Sequence, residues 1–265
     1  MELQGAHVLI TGASRGIGAA MAREFAAAGA RVSLAARSAD GLAKVAMATK
    51  GEAFTVDLLD PDATDRLIAR VEAEAGPIDV LVNNAGIESR QWLVNETPHG
   101  IRDVLRLNLE VPAVLTQAVL PGMLARGKGS LVFVSSLAGT AGFPGMTVYA
   151  GSKAGINNFA ASVRIELRDT PVHVTLMAAG PVDTDMWDRL EAEDWSAPIL
   201  QRFNTLHLLP KKSPELMARR TVAAVKADRR HVRVPRRLSA TYWLGESPRR
   251  IAEWLLTGVP FDMGR

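Results

Sequence analysis

His7-Val8-Leu9-Ile10-Thr11-Gly12-Ala13-Ser14-Arg15-Gly16-Ile17-Gly18 is the stretch that decides how this chain folds. A short apolar run enters a glycine cluster, and an alanine-rich stretch of helical length, residues 16–28, follows at once. Glycine reaches backbone angles closed to other residues and lets the main chain approach a pyrophosphate. A helix N-terminus behind it offers free N–H groups and the positive end of its dipole. Three glycines with the Ser14 hydroxyl exceed what a plain strand-to-helix turn requires, so the segment reads as a phosphate cradle.

Outward from the cradle the same rhythm repeats to the end of the chain. Residues 7–11, 31–36, 53–56, 79–82, 130–135, 172–177 and 231–234 read as strands. Residues 16–28, 40–49, 62–75, 101–126, 150–168 and 214–227 read as helices. Most of the strands are continuous apolar runs, as expected when helices cover both faces of a sheet. The expected fold is α/β: a doubly wound parallel sheet of Rossmann type, with about seven strands and helices on both faces. With no internal repeat and no low-complexity linker, residues 1–265 read as one domain. Two stretches break the rhythm. Residues 185–210 are rich in large apolar side chains, Met186, Trp187, Leu190, Trp195 and Phe203 among them, and read as a substrate lid. Residues 235–265 form a C-terminal extension in which Ser247-Pro248 would open a last helix.

Composition narrows the function classes. Hydrophobic residues make up 48% and charged residues 22%, an ordinary globular balance. No apolar run approaches the roughly 20 residues that span a bilayer, and a first strand at His7 leaves no room for a signal peptide. The absence of cysteine excludes disulfides and thiolate metal sites and fits a cytoplasmic protein. The five histidines are scattered without ligand spacing, so no metal site is expected. Net charge is +3, yet from Lys211 onward 13 basic residues face 5 acidic ones. That basic end, with Trp243 and Trp254, leaves membrane contact open; the preferred reading has it cover the substrate pocket or a neighbouring subunit, and no nucleic acid partner is expected.

In dinucleotide folds an acidic residue about 20 positions beyond the glycines binds the ribose 2′-OH and selects NAD. Here the second strand ends Ala35-Ala36-Arg37, with no carboxylate. Arg37 and Arg15 would instead flank a 2′-phosphate, which favours NADP(H) over NAD(H).

Tyr149 and Lys153 stand one helical turn apart on one face. A phenol of pKa about 10 exchanges protons poorly near neutrality; the Lys153 charge is expected to favour the tyrosinate. Ser136 ends the fifth strand, at the sheet edge where ligands bind, and its hydroxyl can hold a substrate oxygen. Asn108 lies inside the long helix, and Pro112, four residues on, has no N–H to return to its carbonyl. A carbonyl freed in this way could anchor a water that relays protons by way of Lys153.

These residues together resemble the short-chain dehydrogenase/reductase family in its single-domain form of about 250 residues. The matches are Thr11–Gly18 as TGxxxGxG, Asp57, Asn83-Asn84-Ala85-Gly86, Asn108, Ser136, Tyr149-x-x-x-Lys153 and Gly180-Pro181-x-x-Thr184, in order from residue 7 to about 184. The resemblance implies a catalytic set of Asn108, Ser136, Tyr149 and Lys153. It implies cofactor contacts from Gly12, Ser14, Arg15, Gly16, Ile17, Gly18, Arg37, Asp57, Leu58, Asn83, Asn84, Ala85, Gly86, Tyr149, Lys153, Gly180, Val182 and Thr184. Asp57 would meet the adenine, Asn83 with the Ala85 and Gly86 backbone the ribose, and Val182 and Thr184 the carboxamide.

The chain departs from the family in two places. Ala179-Gly180 replaces the usual Pro-Gly, and the end runs through Val234-Pro235-Arg236-Arg237 instead of closing on Asp-Gly-Gly. That end is similar to members acting on hydrophobic alcohols and carbonyls. The expectation is therefore an NADP(H)-dependent carbonyl reductase or alcohol dehydrogenase acting on a small hydrophobic carbonyl or alcohol, assembled as a homodimer or homotetramer. Two rival readings are a nucleotide-binding sensor without chemistry and a membrane-docked protein in which catalysis is secondary.

Overall fold

The computed structural model describes residues 1–140, 144–193, 196 and 210–234. The extension at 235–265, Trp195 and most of the expected lid lie outside the described residues. Seven parallel strands form one sheet in the order β3-β2-β1-β4-β5-β6-β7. They are β1 His7–Thr11, β2 Arg31–Ala36, β3 Glu52–Thr55, β4 Val80–Asn83, β5 Gly129–Ser136, β6 Val172–Ala179 and β7 His231–Val234. Every strand expected from sequence is present. The central ones are buried on both faces, β1 and β4 throughout, because helices cover the sheet on each side.

The helices are α1 Gly16–Ala27, α2 Ala39–Thr49, α3 Pro61–Ala75, α4 Pro98–Leu105, α5 Val111–Ala125, α6 Thr147–Glu166, α7 Asp185–Glu191 and α8 Pro214–Lys226. Three of them open on a side-chain cap followed by proline: Asp60-Pro61, Thr97-Pro98 and Ser213-Pro214. The cap accepts otherwise orphaned N–H groups, and proline lacks an N–H that would need a partner there. One apolar cluster joins the sheet to α1, α2 and α8 through Phe25, Leu42 and Met217. The other joins it to α3, α5 and α6 through Leu67, Leu115 and Ile156.

The long helix expected over 101–126 is broken in the middle. Between α4 and α5, residues Arg106–Glu110 make a π-helical turn in which the Val111 N–H reaches back five residues to the Arg106 carbonyl. Pro112, the second residue of α5, has no N–H for a regular bond to Asn108. The run Pro98–Ala125 has the length and composition of a membrane span. In this fold its apolar positions, Val111, Leu115 and Val119, are buried in the core.

Parallel strands bring all their C-terminal ends to one edge. At that edge Ser136 lies beside Ala179, and Ala179 beside Val234. Strand order reverses between β1 and β4, which opens the crevice where such sheets bind ligands.

Candidate active site

The crevice is a cleft of about 350 Å³ that runs from the glycine turn to Tyr149. Gly12 has φ +68°, and a Cβ there would lie 2.9 Å from both Ala85 Cα and Asn84 Nδ2. The turn therefore needs glycine for its conformation and for its approach to the β4 loop. Thr11 and Asn84 hold that approach. Thr11 Oγ1 accepts from the N–H groups of Asn84 (3.0 Å) and Ala85 (3.1 Å), and Asn84 Nδ2 donates to the Thr11 carbonyl at 2.8 Å.

The cleft is lined by Gly12, Arg15, Gly16, Ile17, Gly18, Arg37, Asp57, Leu58, Asn84, Ala85, Gly86, Ser136, Tyr149, Lys153, Gly180, Val182 and Thr184. Three expected residues are not on its wall. Asn108 sits behind it. Ser14 packs against Gly41 at the start of α2. The Asn83 amide donates to Thr116 Oγ1 on α5 at 3.3 Å, because neighbouring residues of a strand face opposite ways and Asn84 takes the cleft side. The side chain of Asn83 thus faces α5, and Asn84 faces the cleft.

Ser136, Tyr149 and Lys153 meet at the inner end. Ser136 ends β5 and is hydrogen-bonded to the Tyr149 side chain. Lys153 Nζ lies 5.6 Å from the centre of the Tyr149 ring and donates to the Val134 carbonyl at 3.0 Å. Asn108 is engaged through its side chain. It donates to the Ile87 carbonyl and to Ser152 Oγ, both at 2.9 Å, and accepts from the Ile87 N–H at 3.0 Å. A Cβ on Gly86 would lie 2.9 Å from Asn108 Oδ1 and 3.5 Å from Lys153 Nζ, so the three residues are immediate neighbours.

Burial dominates the titration of the pair. It pushes the Tyr149 phenol up to about 12, the Ser136 hydrogen bond pulls it down, and the negative charge of Glu88 raises it further. Burial also brings the Lys153 ammonium down to about 8. The expected shift of Tyr149 toward neutrality is therefore reversed in this state, since loss of hydration outweighs attraction to the lysine. Tyr149 is held as a protonated acid beside a cation close to its own titration point.

Several contacts of the site carried no sequence signal. Ser89, buried, accepts from the Tyr149 N–H at 3.2 Å and ties the β4 loop to α6. Arg15 pairs with Asp185 of α7 at 2.9 Å across the cleft mouth. The side chain of Glu88, 6% exposed, accepts from Arg189 of α7 at 3.0 Å. Only strand alternation at Asn83-Asn84, and the serine beside Lys153, offered a readable hint.

A family model described as short chain dehydrogenase matches residues 6–195. The 3-oxoacyl-acyl-carrier-protein reductase FabG of Escherichia coli is 34% identical over 202 residues, 76% of this chain and 82% of that protein. A short chain dehydrogenase of Pseudocercospora fijiensis is 36% identical over 221 residues, 80% of this chain and 71% of that protein. Among solved structures, a metagenomic short-chain oxidoreductase in complex with NADP is 32% identical, covers 88% of this chain and 97% of its own, and has a TM-score of 0.70. A short-chain dehydrogenase from Sphingobium yanoikuyae in complex with NADPH shares the fold over 98% of both chains at TM-score 0.81, with 24% identity. The strand order, the glycine turn and the matched residues lead to one conclusion: the chain is an oxidoreductase of the short-chain dehydrogenase/reductase family.

Proposed function

We propose that the chain is an NADP(H)-dependent carbonyl reductase or alcohol dehydrogenase for hydrophobic ketones, aldehydes and their alcohols. One observation carries the reading: Ser136, Tyr149 and Lys153 converge at the inner end of a cleft whose outer end is the Gly12 turn. The cradle fits a dinucleotide, since Gly12, Gly16 and Gly18 line it and leave the main chain open to a pyrophosphate. Arg15 and Arg37 line it at the 2′ end, where β2 supplies no carboxylate, and this favours NADP(H). Gly12, Gly16, Ile17 and Gly18 would hold the pyrophosphate, Asp57 and Leu58 the adenine, and Ala85, Gly86, Gly180, Val182 and Thr184 the nicotinamide half. NADP-bound relatives in the same family support that assignment.

When bound, the nicotinamide supplies or accepts the hydride. Tyr149, protonated by burial, donates its proton to the carbonyl oxygen during reduction and takes it back during oxidation. Ser136 orients that oxygen and stabilises the developing charge. Lys153 stabilises the tyrosinate left behind and, with the Asn108 backbone and a water, returns a proton to it. Ile87, Leu137, Met146, Met186, Trp187 and Leu190 on the cleft wall support an apolar substrate body. Exposed Leu124 and Ile165, on α5 and α6, support a homo-oligomer.

The test is absorbance-monitored turnover with NADPH and NADH on matched polar and bulky apolar ketones and aldehydes, with Tyr149→Phe as control. Tyrosine-dependent NADPH oxidation, strongest on bulky ketones, is the expected result. Turnover that survives Tyr149→Phe would overturn the assignment of the acid.

A further inference from the structure

We propose that Glu88 is a specificity-determining residue, and that the preferred carbonyl substrate carries a hydroxyl group whose hydrogen Glu88 Oε2 receives. The inference rests on the carbonyl-reductase reading and adds a polar requirement to its apolar substrate.

Glu88 follows the β4 loop glycine by two residues and lines the cleft. Its side chain is only 6% exposed. The next residue, Ser89, accepts from the Tyr149 N–H, so the loop is fastened to the start of α6 and the carboxylate is held near the phenol. Two guanidinium groups converge on one of its oxygens: Arg189 Nε at 3.0 Å and Arg90 Nε at 3.4 Å both approach Oε1. Arg90 is in turn paired with Glu193 at 3.1 Å. The other oxygen, Oε2, has no hydrogen-bond partner among the described residues.

That asymmetry points to a ligand. A buried carboxylate is strongly disfavoured unless its lone pairs are satisfied. Arg189 and Arg90 neutralise the charge and fix the orientation of the group, and they leave one acceptor unpaired on a residue that lines a cleft otherwise walled by Ile87, Met186, Trp187 and Leu190. Among the described residues Glu88 and Glu193 balance Arg90 and Arg189, so these four groups carry no excess charge to attract an ammonium or a carboxylate. What it offers is an acceptor for a neutral donor. An alkyl ketone leaves that acceptor unsatisfied, whereas a hydroxy ketone of the same size completes it. The effect on charged partners is the larger for being buried.

The experiment measures dissociation constants by calorimetry for the NADP⁺-saturated protein, a dead-end pairing with ketones that needs no turnover. The probes are aryl ketones bearing a hydroxyl one to four carbons from the carbonyl, each with its deoxy and methoxy counterparts. Wild-type protein is expected to prefer one hydroxyl position over its deoxy partner by about tenfold and to reject the methoxy compound, which has no hydrogen to give. Glu88→Gln is expected to reduce that preference to about threefold or less while leaving deoxy affinity nearly unchanged. Arg189→Gln, which loosens the same contact with α7 but keeps the carboxylate, should retain the preference. Equal loss of hydroxy and deoxy binding in Glu88→Gln would make the residue a strut for α7 and overturn the proposal, as would absence of any hydroxyl preference in the wild type. Failure of the carbonyl-reductase reading looks different: no turnover of any ketone by wild-type protein, whatever the binding pattern.

Discussion

Asn108 and Ile87 hold each other twice: the Ile87 N–H donates to Asn108 Oδ1 at 3.0 Å, and Asn108 Nδ2 donates to the Ile87 carbonyl at 2.9 Å. The same amide reaches Ser152 of α6, so one side chain joins the loop after β4 to the helix that bears Tyr149 and Lys153. The π-helical turn at Arg106–Glu110 is the local distortion on which it sits.

Asn108→Ala keeps the backbone carbonyl and should damage the site through its frame. The substitution leaves the N–H and carbonyl of Ile87 without their partner, at a cost of about 2 kcal/mol. Thermal unfolding should report a Tm lowered by about 4–8 °C for a chain of this size. An unchanged Tm would mean that the side chain does not brace the Ile87 loop against α6.

The pH profile of reduction follows from the two buried groups. Lys153 titrates at about 8 and Tyr149 at about 12. Below 8 the lysine is charged and the tyrosine protonated, the combination that reduction requires. As pH rises through 8 the lysine becomes neutral while the tyrosine keeps its proton, so kcat/KM for reduction should fall about tenfold per pH unit above that point. Measured from pH 6 to 10, a single descending limb is expected. A profile that rises across this range would contradict the assignment.

Arg15 and Arg37 make different contributions to cofactor choice. Arg15 is paired with Asp185, and both side chains are more than 60% exposed, so the pair is cheap to open. Arg37 lines the cleft and has no ion-pair partner among the described residues. Arg37→Ala should weaken NADPH binding by about tenfold while changing NADH binding little, as expected for loss of a charge-assisted contact to phosphate. Asp185→Asn should strengthen NADPH binding modestly by releasing Arg15, with almost no effect on stability. Fluorescence titration of both cofactors checks the two substitutions together.

These sites are unevenly legible in the sequence, for physical reasons. The strands were legible because burial on both faces makes them continuous apolar runs, and the Gly12 turn because its geometry admits few other residues. Tyr149 and Lys153 were legible because one helical turn fixes their proximity. Arg15 with Asp185, and Glu88 with Arg189, are partners 170 and 101 residues apart. They meet only after α7 folds back over the cleft, and no local periodicity encodes that meeting. The pKa of Tyr149 went the other way from expectation because sequence spacing conveys a neighbour's charge but not the loss of water around the phenol. The two adjacent asparagines diverge because strand alternation turns Asn83 toward Thr116 and Asn84 toward the cleft.

Gly12→Ala tests the cradle without touching the chemistry. The substitution puts a Cβ on a residue at φ +68°, a conformation that costs an L-residue about 1–2 kcal/mol. The added carbon would also lie 2.9 Å from Ala85 Cα, a backbone atom that Thr11 and Asn84 hold in place. Relief requires the turn to move away from the β4 loop and so to open the surface meant for the pyrophosphate. NADPH affinity should fall at least about tenfold, and Tm by about 4–8 °C, the shift that roughly 2 kcal/mol of strain produces in a chain of this size. Ala85→Gly in the same chain leaves the Ala85 Cα in place, so it should restore neither property. Recovery of cofactor binding in that double variant would mean that the steric conflict lies with the Ala85 side chain and not with its backbone.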